Sequence, residues 1–143
     1  MAGITKTYDH ALLLADGGSI TASAAGEVGG VARILDLGAG KVFGDIVVDV
    51  SELDVDTGNE IVTIGVQISS SATFASDYYQ VASLAIGDAA AIVGDVDMTT
   101  GRYVVPFNNM IKDGTTKRYL RIYYTIAGTV AGFDATAYLA LKA

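Results

Sequence analysis

With 143 residues the chain is long enough for one domain with its own hydrophobic core and too short for two comfortable ones. Because 51% of the residues are apolar and only 17% are charged, the composition excludes the class of intrinsically disordered proteins. The net charge of -7 argues against a nucleic-acid partner, since phosphate binding needs a basic surface, and the absence of cysteine excludes disulfides, thiolate metal sites and cysteine nucleophiles.

Residues 1–30 are predicted to form an N-terminal arm, or weak strands packed on the domain. The stretch "ADGGSITASAAGEVGG" (Ala15–Gly30) is rich in small residues, and only Leu12–Leu14 and Ser19–Ser23 suggest short strands. The apolar run Ala11–Ala15 is shorter than the core of a signal peptide, and no apolar stretch approaches the roughly 18 residues that span a bilayer. We therefore expect a soluble protein, made without export, that has no membrane partner.

Residues 31–143 are predicted to form a single β-sandwich domain, because β-branched and aromatic runs alternate there with glycine- and aspartate-bearing breaks. The stretch "DIVVDVSELDV" (Asp45–Val55) is followed by the break "DTGN" and then by "EIVTIGVQISSS" (Glu60–Ser71), which alternates with a period of two. We interpret these two strands as a β-hairpin. The core positions predicted on them are Ile46, Val48, Val50, Val62, Ile64, Val66 and Ile68.

Further strands are predicted at Tyr78–Ile86, Arg102–Asn108 and Asp134–Lys142. Pro106 has no N–H to donate to a ladder, so its strand should lie at a sheet edge or stop there. The last strand is predicted to direct Ala135, Ala137, Leu139 and Leu141 to the core.

The strand within "KRYLRIYYTIAG" (Lys117–Gly128) is the most informative one for function. Its alternation predicts a core face formed by Leu120, Ile122, Tyr124 and Ile126, and an outer face formed by Tyr119, Arg121, Tyr123 and Thr125. Tyrosine and arginine are enriched in protein interfaces. The candidate interface residues are Lys117, Arg118, Tyr119, Arg121, Tyr123 and Tyr138.

The distribution of charge is consistent with such an interface. Lys112, Lys117, Arg118 and Arg121 cluster towards the C-terminus, whereas acidic residues dominate the sequence between Glu27 and Glu60. Complementary patches of this kind could guide self-association or binding to a larger partner, although a solvated face is the simpler interpretation.

Catalytic chemistry finds little support in the sequence. His10 is the only histidine, and no G-x-S-x-G nucleophile elbow is present to partner it. One histidine without cysteine cannot supply a closed zinc site. We expect no enzyme activity, no catalytic residues and no cofactor.

A metal site is also not expected. An EF-hand that began at Asp54 would need glycine at its sixth position and glutamate at its twelfth, where Asn59 and Gly65 stand. Weak calcium binding at Asp54, Asp56 and Glu60, or at Asp95 and Asp97, stays possible, but solvated turns are the favoured interpretation.

From "ILDLG" (Ile34–Gly38) onward, the order of features resembles that of the small capsid cement, or decoration, proteins of tailed bacteriophages, and the likeness extends from about Leu12 to the C-terminus. It rests on "DLG", "VTIGVQISSSATFAS" and "KRYLRIYYTIAGT". The last matches the family pattern R-Y-L-R-L-x-Y-x-V-x-G at Arg118, Tyr119, Leu120, Arg121, Ile122, Tyr124, Ile126 and Gly128. Ser70, where the family often has aspartate, and the glycine-rich lead to Gly30 depart from the pattern.

The resemblance implies a jelly-roll-like antiparallel β-sandwich that forms a homotrimer. Such a protein is made in the host cytoplasm and binds the capsid exterior of the virion at junctions between major capsid proteins, which stabilises the head. The alternative that the sequence leaves open is a carbohydrate-binding or receptor-binding module of a phage virion, with Tyr119, Tyr123 and Tyr138 stacking on sugar rings. A small β-fold hydrolase ranks far behind.

Overall fold

The computed structural model describes residues 8–142, which form an almost entirely β structure. The helical segments are a 3₁₀ turn (His10–Leu12) and α1 (Ala89–Ile92), and no helix in this part of the chain is long and apolar enough to cross a membrane. The strands are β1 (Leu13–Asp16), β2 (Ala24–Ala25), β3 (Glu27–Val28), β4 (Val31–Ala32), β5 (Leu35–Asp36), β6 (Phe43–Leu53), β7 (Ile61–Ser69), β8 (Tyr78–Gly87), β9 (Gly101–Asn108), β10 (Tyr119–Ala127) and β11 (Phe133–Leu141).

Two antiparallel sheets pack face to face. Sheet A has the order β1-β11-β6-β9, and sheet B has the order β2-β10-β7-β8, with β5 also paired to β10. Strands β3 and β4 form a separate small ribbon. Most connections between the long strands pass from one sheet to the other, and the resulting order is that of a jelly roll. The prediction of an all-β sandwich of jelly-roll type is confirmed.

The predicted hairpin between the strands now labelled β6 and β7 is wrong. Strand β6 pairs with β11 and β9 in sheet A, whereas β7 pairs with β10 and β8 in sheet B. The segment between them therefore crosses between the sheets. Alternation identifies the buried face of a strand but not its neighbour, and here both strands are central, each covering one side of the same core.

The core lies between the inner faces of the two sheets. The seven core positions predicted on β6 and β7 are all buried, as are Leu120, Ile122 and Tyr124 of β10, while Ile126 is half-buried. Leu141 was predicted in the core but is 58% exposed. It is the last residue of β11, at the end of the sandwich, and it lies opposite Gly44, which offers no side chain to cover it.

The N-terminal region contributes a strand and a core residue to the sandwich. Strand β1 pairs with β11, and Leu14 is fully buried in the core. Ser19–Ser23, predicted as a short strand or an extended arm, is not a strand, and β2 makes the pairing with β10. Residues 1–7 of the predicted arm and Ala143 lie outside the described residues.

Candidate functional site

The candidate site lies on the outer face of sheet B, where β10 presents its odd-numbered side chains. Tyr119, Arg121 and Tyr123 are half-buried, and they alternate with the fully buried Leu120, Ile122 and Tyr124. The two-sided character predicted for this strand is therefore observed. Strand β7 lies beside it, with Gln67 opposite Arg121, and β8 places Gln80 opposite Gln67.

Arg121 is the centre of a group that we call the Arg121 cluster: Arg121, Gln67, Phe74, Tyr78 and Tyr123. The Arg121 Nε donates a hydrogen bond of 2.8 Å to Gln67 Oε1. Its Cζ lies 4.5 Å from the ring centroid of Phe74, 5.2 Å from that of Tyr123 and 5.7 Å from that of Tyr78. Cation–π attraction and one directed hydrogen bond thus hold the guanidinium in place.

The loop between β7 and β8, residues 70–77, folds back over this face and supplies Phe74, which is only 4% exposed. Phe74 and Asp77 both have a φ of 55°, in the left-handed region that non-glycine residues seldom adopt. Such conformations persist only where their surroundings enforce them, and they are concentrated at binding and switch sites.

Several side chains hold this loop in place. Ser69 Oγ donates to the Ser76 carbonyl at 3.1 Å, and Ser70 Oγ donates to the Asp77 carboxylate. Lys117 Nζ donates to the same carboxylate at 2.9 Å. The hydrogen bonds from Ser70 and Lys117 lower the pKa of Asp77 below its ordinary value, so the ion pair persists at neutral pH.

The basic residues predicted to form the interface are in different electrostatic situations. Lys117 is paired with Asp77, and Arg118 makes two hydrogen bonds, of 2.7 and 2.8 Å, to the Asp36 carboxylate. That pairing lowers the pKa of Asp36 to about 2 and raises the pKa of Arg118. Arg121, in contrast, forms no ion pair with any residue of the described chain. Burial lowers its pKa from the ordinary value, against the opposing influence of Tyr123 and Tyr78.

Two of the predicted interface residues do not contribute to this surface. Lys117 is 8% exposed, with its Nζ 5.3 Å from the ring centroid of Tyr79. Tyr138 was expected to be exposed but is only 4% exposed. It lies in sheet A, packed among Leu13, Val47 and Ala140, and Tyr8 makes an edge-to-face contact with its ring at a centroid distance of 5.2 Å. Tyr138 is therefore in the other sheet from Arg121.

Phe74, Gln67 and Tyr78 were not singled out from the sequence. Gln67 could have been found, since it lies on the polar face of a strand whose alternation was recognised. Phe74 could not, because its position depends on the left-handed conformation of a loop that has no glycine to signal it. Gly65 also matters: the Gln80 side chain lies where a Cβ at position 65 would be, so Gly65 allows Gln80 to cross β7.

His10 and Glu60, which were considered for catalysis and metal binding, make contacts with neighbouring residues of the fold. His10 is exposed, and its Nδ1 lies 3.3 Å from the Tyr8 hydroxyl. The carboxylate of Glu60 accepts hydrogen bonds from the backbone N–H groups of Thr57, Gly58 and Asn59, so it closes the turn between the sheets. Within residues 8–142 no group of three or more acidic or histidine side chains is arranged to hold a metal ion.

Comparison with known proteins adds no assignment. The chain matches no protein-family model, and the comparison with curated proteins finds no match.

Proposed function

We propose that this protein is a structural cement protein that binds the exterior of an icosahedral phage head as a homotrimer, at junctions between major capsid proteins. The observation that carries the proposal is the Arg121 cluster: a guanidinium fixed among three aromatic rings, without an acidic partner in the described chain, on the outer face of a jelly-roll sheet. The jelly roll is also the fold that the resemblance to cement proteins implies.

The cluster suits binding because its geometry is set in advance. Interfaces owe most of their affinity to a few arginine, tyrosine and tryptophan side chains in well-packed surroundings, and side chains that are already ordered lose little entropy on binding. A carboxylate or a row of carbonyl oxygens on a capsid subunit would complete the hydrogen bonding of the Arg121 Nη groups. A protein that binds the assembled shell and not its separate subunits stabilises the shell by mass action, without any catalytic step.

The test is Arg121→Glu, measured by co-sedimentation with heads that lack the protein and by thermal unfolding of the isolated chain. We expect Arg121→Glu to reduce the free energy of trimerisation or head binding by more than it reduces the free energy of unfolding. Arg118→Glu is the matched control, since it reverses the same charge three residues earlier on a side chain already occupied by Asp36. Arg121→Lys tests whether charge alone suffices, because lysine cannot reproduce the planar contacts of arginine.

Two results would contradict the proposal. One is a wild-type protein that stays monomeric at micromolar concentration and does not sediment with heads. The other is a loss of thermal stability in Arg121→Glu as large as the loss of binding, which would mean that Arg121 serves the fold alone.

One observation favours a carbohydrate-binding module as the second candidate. Tyr78 and Tyr79 are adjacent and 51% and 42% exposed, and Tyr79 lines a cavity of about 500 Å³ together with Gln80, Lys112 and Asp113. An aromatic ring beside a few polar groups is a common arrangement in ligand sites. Glycan-array binding that is lost in Tyr79→Ala or Tyr123→Ala, and kept in Arg121→Glu, would favour this function over the first.

A further inference from the structure

The outer edges of the two sheets differ in how well they are protected from pairing with another strand. Strand β1 has only four residues and ends at Asp16, and β2 and β5 have two residues each. Strand β9 carries Pro106 and Arg102. Short length, proline and charge are the usual protections of an edge strand. Strand β8 has ten residues, "YYQVASLAIG", with neither charge nor proline.

The free side of β8 has open hydrogen-bonding capacity along most of its length. From Tyr78 to Ile86 its backbone pairs with β7, and no backbone hydrogen bond joins it to any other described residue. At Gly87 the edge is closed, because Gly87 and Met98 exchange two hydrogen bonds of 2.8 and 2.9 Å. Besides this closure, β8 has a β-bulge at Val81, and its first residues, Tyr79 to Val81, share a cavity with Met110 to Asp113. The segment from Ala82 to Ile86 stays regular.

The side chains of this segment also suit an added strand. Ala82 and Leu84 are half-buried and pack against the core at the open side of the sandwich, whereas Ser83 and Ala85 are exposed and small. A further strand beside β8 would extend sheet B and cover Ala82 and Leu84 further.

We propose that the β8 edge pairs with β8 of a second copy of this chain, antiparallel about a two-fold axis, so that the two copies of sheet B form one continuous sheet. Charge favours this occupant. Each copy has a net charge of -7, so most contacts between copies place like charges together. A ladder built on Ala82 to Ile86 brings no charged side chain of β8 into the contact, whereas pairing through the β1 edge would bring Asp16 into it.

The contact goes beyond the proposed function and is compatible with it. A two-fold contact closes at two copies, because the same surface is used on both sides. The proposed homotrimer must therefore use another surface, and β8 pairing would then join two trimers. Whether β8 pairing joins two single chains or two trimers, breaking the β8 contact should halve the mass of the assembly.

The first experiment measures that mass by light scattering and analytical ultracentrifugation, for the wild type and for Ser83→Lys/Ala85→Lys. Lysines at an edge place like charges opposite each other across the axis. We expect the mass to fall by half and self-association to weaken by about tenfold or more. Thr125→Lys, compared with each single lysine variant of β8, is the control for an added charge, because Thr125 is exposed on the same face of sheet B but on β10, away from the edge.

The second experiment uses the absence of cysteine in the chain, which makes a single introduced thiol a clean reporter. Antiparallel partners have Cα atoms about 4.5–5.5 Å apart, within the range of about 4.4–6.8 Å that a disulfide spans. Gln80→Cys, Ser83→Cys and Ala85→Cys are oxidised one at a time, and we expect a covalent dimer at the position nearest the axis and none with Thr125→Cys. A wild-type monomer, a mass that the lysines leave unchanged, or no disulfide dimer at any β8 position would each overturn the proposal.

Discussion

Tyr124 is a core residue whose hydroxyl group has no hydrogen-bond partner in the described chain. The side chain is fully buried, and its ring makes an edge-to-face contact with Phe133 at a centroid distance of 5.0 Å. Burial, with a smaller contribution from Asp134, raises the pKa of Tyr124, so the hydroxyl stays neutral. An unpaired buried polar group costs about 1–3 kcal/mol, and phenylalanine removes that cost while it keeps the ring contact. We expect Tyr124→Phe to raise the free energy of unfolding by about 1 kcal/mol after the small void left by the oxygen is counted.

The matched control is Tyr103→Phe, the same chemical change at a hydroxyl that is satisfied. Tyr103 is half-buried and donates to the Thr99 carbonyl at 2.9 Å, so its loss should lower the free energy of unfolding by about 1 kcal/mol. Urea denaturation gives the two free energies directly, and the unfolding temperatures should move in opposite directions by about 3 °C each. A Tyr124→Phe variant that is destabilised as much as Tyr103→Phe would refute the argument, because it would show that the Tyr124 hydroxyl is bonded.

Two further predictions concern the turns that join the sheets. Gly87→Ala should strongly lower the unfolding temperature, because φ at Gly87 is 140° and the new Cβ would overlap the Glu60 carbonyl oxygen. The control is Gly101→Ala, where φ is 143° but no atom lies near the new Cβ. Gly101→Ala should therefore lower the unfolding temperature less, and the difference between the two variants measures the clash. Glu60→Gln should lower stability at neutral pH, because an amide cannot accept so many backbone hydrogen bonds. Burial opposes the charge on Glu60, but the hydrogen bonds from Thr57 and Gly58 outweigh it and lower its pKa below 4.5. The ionised Glu60 therefore contributes fully to stability above pH 4.5, and this contribution is lost as the pH falls through the lowered pKa of the folded state. The free energies of unfolding of the wild type and Glu60→Gln should then converge in acid. A difference between these free energies that stays constant with pH would contradict this.

The strands and their buried faces could be predicted because alternation reports burial directly. In β7 and β10 the predicted inner residues are buried, apart from the half-buried Ile126 near the end of β10. The partner of each strand could not be predicted in the same way. A strand that turns back beside its predecessor and one that crosses to the opposite sheet have the same alternation, and so β6 and β7 were assigned to a hairpin.

The candidate site was predicted only in part, for a related reason. Tyr119, Arg121 and Tyr123 follow from the periodicity of one strand, but the outer surface of a sandwich is shaped by whatever folds across it. The loop of residues 70–77 covers Arg121 with Phe74, and Tyr8 packs against Tyr138. Neither contact has a local signal, because each joins residues far apart in sequence.

The charges of the C-terminal region show how pairing changes the functional argument. A count along the sequence treats Lys117, Arg118 and Arg121 as one basic patch, yet the first two are already neutralised by Asp77 and Asp36. A partner that approached this face would gain little from Lys117 and Arg118, since their existing ion pairs would have to be broken first. Arg121 has no such competitor in the described chain. If the outer face of sheet B binds an acidic group, the specificity of that contact should therefore depend on a single guanidinium and on the loop that holds Phe74 against it.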